Sequence, residues 1–224
     1  MLTLKGLQNS WVKIIIRNNK KMENFQVISD AYHKKYGKII VDLGCGSGNK
    51  PETIGIDVLQ LSGVDYVANM EEGLSFIQDN SVDEYITAHF LEHVANFEHL
   101  MAELFRTLKP GGTIKIIVPH FSNPYYYSDY THKRFFGLYT FDYFSDGKNS
   151  LRRKTPKYNT SFQFSIVSRK LVFKSPNFQF LNLIKKHFWT RLFNSTKFLQ
   201  SLYEESFTSF LSCYELIFIL EAKK

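Results

Sequence analysis

The chain has 224 residues, 44% hydrophobic, 16% aromatic and 22% charged; such a composition argues against disorder and its length suits one α/β domain. Two cysteines, Cys45 and Cys213, exclude a disulfide framework and a zinc cluster and point to a reducing, cytoplasmic setting. The net charge of +7 is uneven, because residues 39–120 carry twelve Asp/Glu against four Lys/Arg while both flanks are basic, which suits an acidic cofactor core whose flanks face something anionic, or a solvated basic surface.

In chain order, the apolar run Trp11 to Ile16 is interrupted by Lys13 and closed by Arg17, so it does not read as a signal peptide. Residues 24–36 predict a helix from the spacing of Phe25, Ile28, Tyr32 and Tyr36. Short apolar runs at 38–43, 54–58, 64–68 and 83–88 predict buried parallel strands. Residues 92–108 predict a helix, with Val94, Phe97, Leu100, Met101, Leu104 and Leu108 on one stripe, stopped by Lys109-Pro110-Gly111-Gly112. A fifth strand follows at 113–119, a basic linker at 151–160, a strand at 162–167 with a continuation at 171–174, amphipathic helices at 178–211 and a last strand at 213–221. The run Leu216 to Leu220 falls far short of the roughly 20 residues of a membrane span. Strands alternating with helices predict an α/β fold with a mostly parallel sheet.

The loop Asp42-Leu43-Gly44-Cys45-Gly46-Ser47-Gly48 lets the backbone turn sharply and approach a ligand, since no Cβ intervenes at its glycines. Asp57 ends the next strand, where a carboxylate can accept two hydrogen bonds from a ribose diol. Asn69-Met70 follows the third strand and can flank an adenine ring; His89-Phe90 follows the fourth. All four stations lie at strand C-termini, where open α/β sheets bind ligands. A nicotinamide fingerprint fits less well: Asn49 stands where its third glycine belongs, and Asp57 comes too soon after Gly44. No Walker-type phosphate loop is present.

Val41 to Gly48 resembles motif I of class I methyltransferases, and Ile54-Gly55-Ile56-Asp57 resembles their second motif. Leu91-Glu92-His93-Val94, followed by Leu108-Lys109-Pro110-Gly111-Gly112 and a strand, is similar to the methyltransferase type 11 group. The resemblance covers residues 38–120 and continues more loosely through Thr131 to Phe136 and Tyr214-Glu215-Leu216, similar to small bacterial methyltransferases associated with surface-glycan biosynthesis. It implies a Rossmann-like seven-stranded sheet and S-adenosylmethionine as cofactor, held by Asp42, Gly44, Cys45, Gly46, Gly48, Asp57, Val58, Asn69, Met70, His89 and Phe90. Two departures stand out. Only five residues, including Pro51, separate Gly48 from Ile54, so the first crossover helix is expected to be lost. Asn69 stands where relatives often carry an acid.

The expected division is one domain: a helical cap at 1–37, a cofactor core at 38–120, an acceptor and lid region at 121–212 and a final strand at 213–224. Methyl transfer to a hydroxyl profits from a base, and His93, His120 and His132 are the candidates. Each has a plainer alternative as a backbone-bonded or loop histidine. Tyr125, Tyr126, Asp129 and Arg134 are expected to line the acceptor site. Asp129, His120 and His132 are suitable metal ligands by type, but their spacing matches no zinc signature, and no metal is expected. The expected activity is O-methylation of a small molecule or a sugar or glycan precursor. The alternatives are RNA methylation, suggested by the basic flanks, and a non-catalytic scaffold, against which the intact Gly44, Gly46 and Asp57 argue. The mixed aromatic and basic helices at 178–211 suit peripheral contact with a membrane or lipid-linked substrate, or a covering of the sheet edge.

Overall fold

The computed structural model describes residues 24–156, 158 and 161–224. The run Trp11 to Ile16, the first part of the expected cap and three residues of the basic linker lie outside the described residues.

Helix α1 (24–36) forms where predicted. It anchors through Phe25, whose ring meets Tyr66 and Phe76 edge-on at 5.5 Å each. Seven strands follow: β1 (Ile40–Leu43), β2 (Ile54–Asp57), β3 (Tyr66–Val67), β4 (Val82–Ala88), β5 (Leu108–Pro119), β6 (Phe164–Val172) and β7 (Glu215–Ala222). They make one sheet in the order β3-β2-β1-β4-β5-β7-β6. The neighbours from β3 to β5 pair in parallel, whereas β7 runs antiparallel to β5 and β6. This is the Rossmann-like arrangement of class I methyltransferases. Leu216, Phe218 and Leu220 of β7 are fully buried, as its apolar run predicts.

The first crossover carries no helix: residues 44–53 make only turns, yet β1 and β2 pair in parallel with Val41 opposite Ile54. Side chains hold the loop instead. The Asn49 amide donates to the Thr53 carbonyl and the Asp65 carboxylate, both at 2.9 Å. Asp65 also accepts from the Gly55 N–H at 2.8 Å and the Tyr32 hydroxyl at 3.2 Å. A Cβ on Gly55 would lie 2.7 Å from the Asn49 amide, so the short crossover depends on that bare backbone.

The central helix is shorter than its apolar stripe suggested. Leu91–His93 form a separate 3₁₀ turn, and α2 spans Phe97–Thr107. His89, at φ 53°, turns the chain abruptly at the end of β4. Strand β5 in turn begins at Leu108, ahead of the glycines, because Leu108 pairs with Val82 before a bulge. The two predicted segments at 162–174 join as one strand, β6, which also contains an irregularity between Ile166 and Ser168.

The region 178–211 is broken into α3 (Gln179–Ile184), a π-helical turn (Lys185–Trp189), α4 (Thr190–Phe193), α5 (Lys197–Leu202) and a second π turn (Tyr203–Phe207). Phe193 and Tyr203 fasten it to the core, but α3 buries none of its residues. Among the described residues no helix is long and apolar enough to cross a membrane.

Candidate active site

The C-terminal ends of β1 to β4 surround one cleft of about 340 Å³, lined by Gly44, Asp57, Val58, Asn69, Met70, Glu71, His89, Phe90, His93 and Val94. Seven of these are residues the strand-tip reading assigned to the cofactor. A cavity of that size at the strand tips is typical of ligand sites. A larger one, about 640 Å³, opens past the end of β5, beside Phe121, Tyr139, Tyr143, Arg153 and Glu204.

The glycine loop is tied down from behind. The N–H groups of Gly44 and Cys45 donate to the Ile56 carbonyl, at 2.9 and 3.3 Å. The Asp57 carboxylate accepts from the Gly46 N–H and the Leu59 N–H, each at 3.0 Å, and each oxygen keeps lone-pair capacity for a ligand. Gly46 has φ +56°, and a Cβ there would meet nothing within 4 Å, so space remains beside the loop. Gly44 has φ +67°, and its Cβ would fall 2.7 Å from the Phe90 ring. Replacing Gly44 by alanine is therefore expected to displace Phe90 from the cleft wall. The expected result is about tenfold weaker cofactor binding and a loss of about 1–3 kcal/mol of stability, from overpacking and a strained φ, checked by calorimetry and thermal melting.

Asp42, Cys45, Gly46 and Gly48 are not among the residues that line this cleft. Burial pushes the Asp42 carboxyl up from 3.8 to about 6, with Lys50 opposing. A ligand ammonium would hold it ionised. Binding of S-adenosylhomocysteine is thus expected to weaken up to about tenfold per pH unit below 6, and the dependence should vanish in Asp42→Asn. The folded chain keeps this proton up to about 6 and the unfolded chain only up to about 4. Asp42 therefore lowers stability as pH rises through that window, and Asp42→Asn should raise the melting temperature at pH 7. The Cys45 thiol is pushed up to about 11 by burial and by Asp42 and Asp57, so it stays protonated and serves as packing.

Asn69 spends its amide locally, accepting from the Glu71 N–H and donating to Glu72, both at 3.2 Å, while Met70 is buried beneath it. His89 lies 3.4 Å from Glu215 and 3.5 Å from Glu92. The bond to Glu215, then that to Glu92, hold its imidazole up at about 9 against the effect of burial. The imidazole is therefore protonated at neutral pH and lies between two carboxylates.

The three candidate histidines part company. His93 lines the cleft, and its ring lies 4.8 Å from that of His132. His120 is fully buried: its Nδ1 accepts from the Ser122 N–H at 3.0 Å, and its Nε2 donates to Glu204 at 2.9 Å. With both nitrogens engaged it braces the end of β5 against the turn after α5.

The expected acceptor residues divide similarly. Tyr126 is buried, with its hydroxyl donating to the Arg134 carbonyl at 2.8 Å. Arg134 donates to the carbonyls of Val94, at 2.8 Å, and Ala95, clamping the insertion onto the start of α2. Both spend these polar groups on backbone carbonyls in this arrangement. Tyr125 is exposed and accepts from the Asn177 amide at 3.0 Å. Asp129 approaches His132 at 3.6 Å. Sequence reasoning missed Glu92 and Glu215, buried carboxylates on 3₁₀ turn and strand; an acid inside the apolar strings Leu91-Glu92-His93-Val94 and Glu215-Leu216-Ile217 was the available signal.

A family model described as a methyltransferase domain matches residues 16–142, and the chain belongs to that family. It is 27% identical over 116 residues to the demethylmenaquinone methyltransferase of Paenarthrobacter aurescens, covering 44% of this chain and 45% of that protein. It is also 27% identical over 105 residues to the sterol 24-C-methyltransferase of Kluyveromyces lactis, covering 37% and 28%. The match thus spans less than half of each relative. The YcgJ protein of Bacillus subtilis shares the fold, with a TM-score of 0.51 at 14% identity over 84% of this chain and 92% of that one.

Proposed function

We propose that the chain acts as one methyltransferase domain in which residues 38–120 hold S-adenosylmethionine and residues 121–212 receive an acceptor hydroxyl on a small molecule or a sugar or glycan precursor. The observation that carries this reading is the convergence of Gly44, Asp57, Asn69, Met70, His89 and Phe90 on one cleft. There the free lone pairs of Asp57 accept the ribose hydroxyls, Met70 and Phe90 pack against the base, and Asp42 balances the amino-acid end of the cofactor. The bound sulfonium supplies an activated methyl group. With the cofactor bound, an in-line displacement would form the acceptor oxygen–carbon bond as the carbon–sulfur bond breaks, and the hydroxyl proton would leave past His93 to Asp129 or water. Holding the partners aligned supplies much of the rate.

An exposed row of Phe178, Phe180, Leu183 and Phe188 lies beside Lys185 and Lys186. It supports a lipid-linked form of the acceptor, as does similarity to proteins named for demethylmenaquinone and sterol. Isotope transfer from labelled S-adenosylmethionine to free sugars, lipid-linked sugars and RNA tests the reading. Alkali-stable label in the sugar fractions is expected. Label confined to RNA, with steep salt dependence, or no binding of S-adenosylhomocysteine, would overturn it.

A further inference from the structure

Beside the cleft, two segments distant in sequence bring Glu92, His93 and His132 together: a ligand atom from each lies within 4.8 Å of those of the other two. The hydrogen bonds around them decide which atoms are free. His132 Nδ1 lies 2.9 Å from the Tyr126 carbonyl, which can only accept, so the proton sits on Nδ1 and the lone pair on Nε2. The Thr131 hydroxyl donates to Asp129 at 2.5 Å, so towards His93 Nδ1, 2.9 Å away, it acts as acceptor. His93 likewise keeps its lone pair on Nε2. Both rings are thus oriented as metal-bound histidines usually are, with the second nitrogen tied to an oxygen.

Glu92 supplies the second, independent sign. It is 1% exposed. One oxygen faces His89 at 3.5 Å, while Oε2 has no hydrogen-bond partner among the described residues. A buried carboxylate oxygen without a partner is costly unless a cation or donor occupies the space it faces.

We infer that Glu92, His93 and His132 form a binding site for a divalent transition-metal ion of the zinc type at the acceptor side of the cleft. Two imidazoles and one carboxylate favour such an ion over magnesium or calcium, which take all-oxygen sets. Ligands about 2.0–2.2 Å from the ion require the three side chains to draw in slightly from their present spacing. Three protein ligands leave coordination positions open for water or an acceptor oxygen. Asp129, 3.6 Å from His132, adds negative charge at the rim. This set differs from the His120, His132 and Asp129 grouping suggested by residue type, because His120 is held elsewhere by Glu204 and Ser122.

Metal binding stands on this geometry alone; a part for the ion in methyl transfer rests on the function proposed above. In that part the ion coordinates the acceptor hydroxyl and lowers its pKa. The proton passes to Asp129 or water, and the oxygen then takes the methyl group as the carbon–sulfur bond breaks.

The test uses the full, tag-free chain stripped with chelator. Zn²⁺ titration by calorimetry should give one equivalent, and Co²⁺ should develop visible d–d bands of an imidazole-containing site. Zn²⁺ should also raise the melting temperature. His132→Gln, His93→Gln and Glu92→Gln should each weaken Zn²⁺ binding at least about 30-fold, in line with the loss of a metal ligand, and remove the Co²⁺ bands. If Glu92→Gln fails to fold, the two histidine variants carry the test. Failure of the wild-type chain to bind Zn²⁺, or equal binding by the variants, overturns the site. Binding of S-adenosylhomocysteine by the metal-free protein is measured in parallel. Its presence without metal binding rejects only the metal site, and its absence rejects only the cofactor reading.

Discussion

Asp57→Ala is expected to weaken S-adenosylhomocysteine binding about 100-fold or more while leaving the chain folded. Two effects add. The carboxylate is the acceptor proposed for both ribose hydroxyls, and each charge-assisted hydrogen bond contributes about 1.5–3 kcal/mol. It also holds the glycine loop, through the Gly46 N–H at 3.0 Å, and the start of the next loop, through the Leu59 N–H at 3.0 Å. Alanine releases both loops, so the cofactor must order them on binding. Asp57→Asn should recover little, because only one of its two positions can accept from these backbone donors. Isothermal calorimetry checks the change and thermal melting checks the fold; an unchanged dissociation constant in a folded variant would move the nucleoside site elsewhere.

The largest stability effect is expected away from the cleft. Asp142 and Arg169 are buried, with side-chain exposures of 3% and 5%. They pair through two bonds of 2.6 and 3.0 Å. Arg169, on β6, also donates to the Leu138 and Asn149 carbonyls, at 2.9 and 3.0 Å, so one guanidinium fastens the 138–149 segment to the sheet edge. Asp142→Ala leaves that cation buried without its counter-ion, which costs about 3–5 kcal/mol. A melting-temperature loss of about 10 °C follows for a domain of this size. A joint replacement of Asp142 and Arg169 by apolar residues of similar volume should lose less, since no unpaired charge then remains. A drop below about 1 kcal/mol in the single variant would mean that water reaches the arginine.

The cleft at the strand ends was legible because its lining residues follow those ends directly. A strand running into Gly44, Gly46 and Gly48, and an acid at Asp57, are local features, and the parallel sheet brings such ends to one edge. The loss of the first crossover helix was legible for the same reason: five residues cannot hold a helix. The acceptor half was not. His93 and His120 each follow a strand, yet one lines the cleft and the other is sealed against Glu204. Arg134 and Tyr126 looked available for substrate but are spent on backbone carbonyls, whose positions no local pattern reveals.

The sequence by itself determined the glycine loop, the carboxylate Asp57 at the end of β2 and the buried final strand, because periodicity and short-range spacing specify these. Tertiary structure alone decided which polar side chains meet. Glu92 sits in the 3₁₀ turn after β4, Glu215 opens β7, and His132 and Asp129 lie in the insertion between. Their partners are set by distances across the fold, which no local pattern in the sequence specifies.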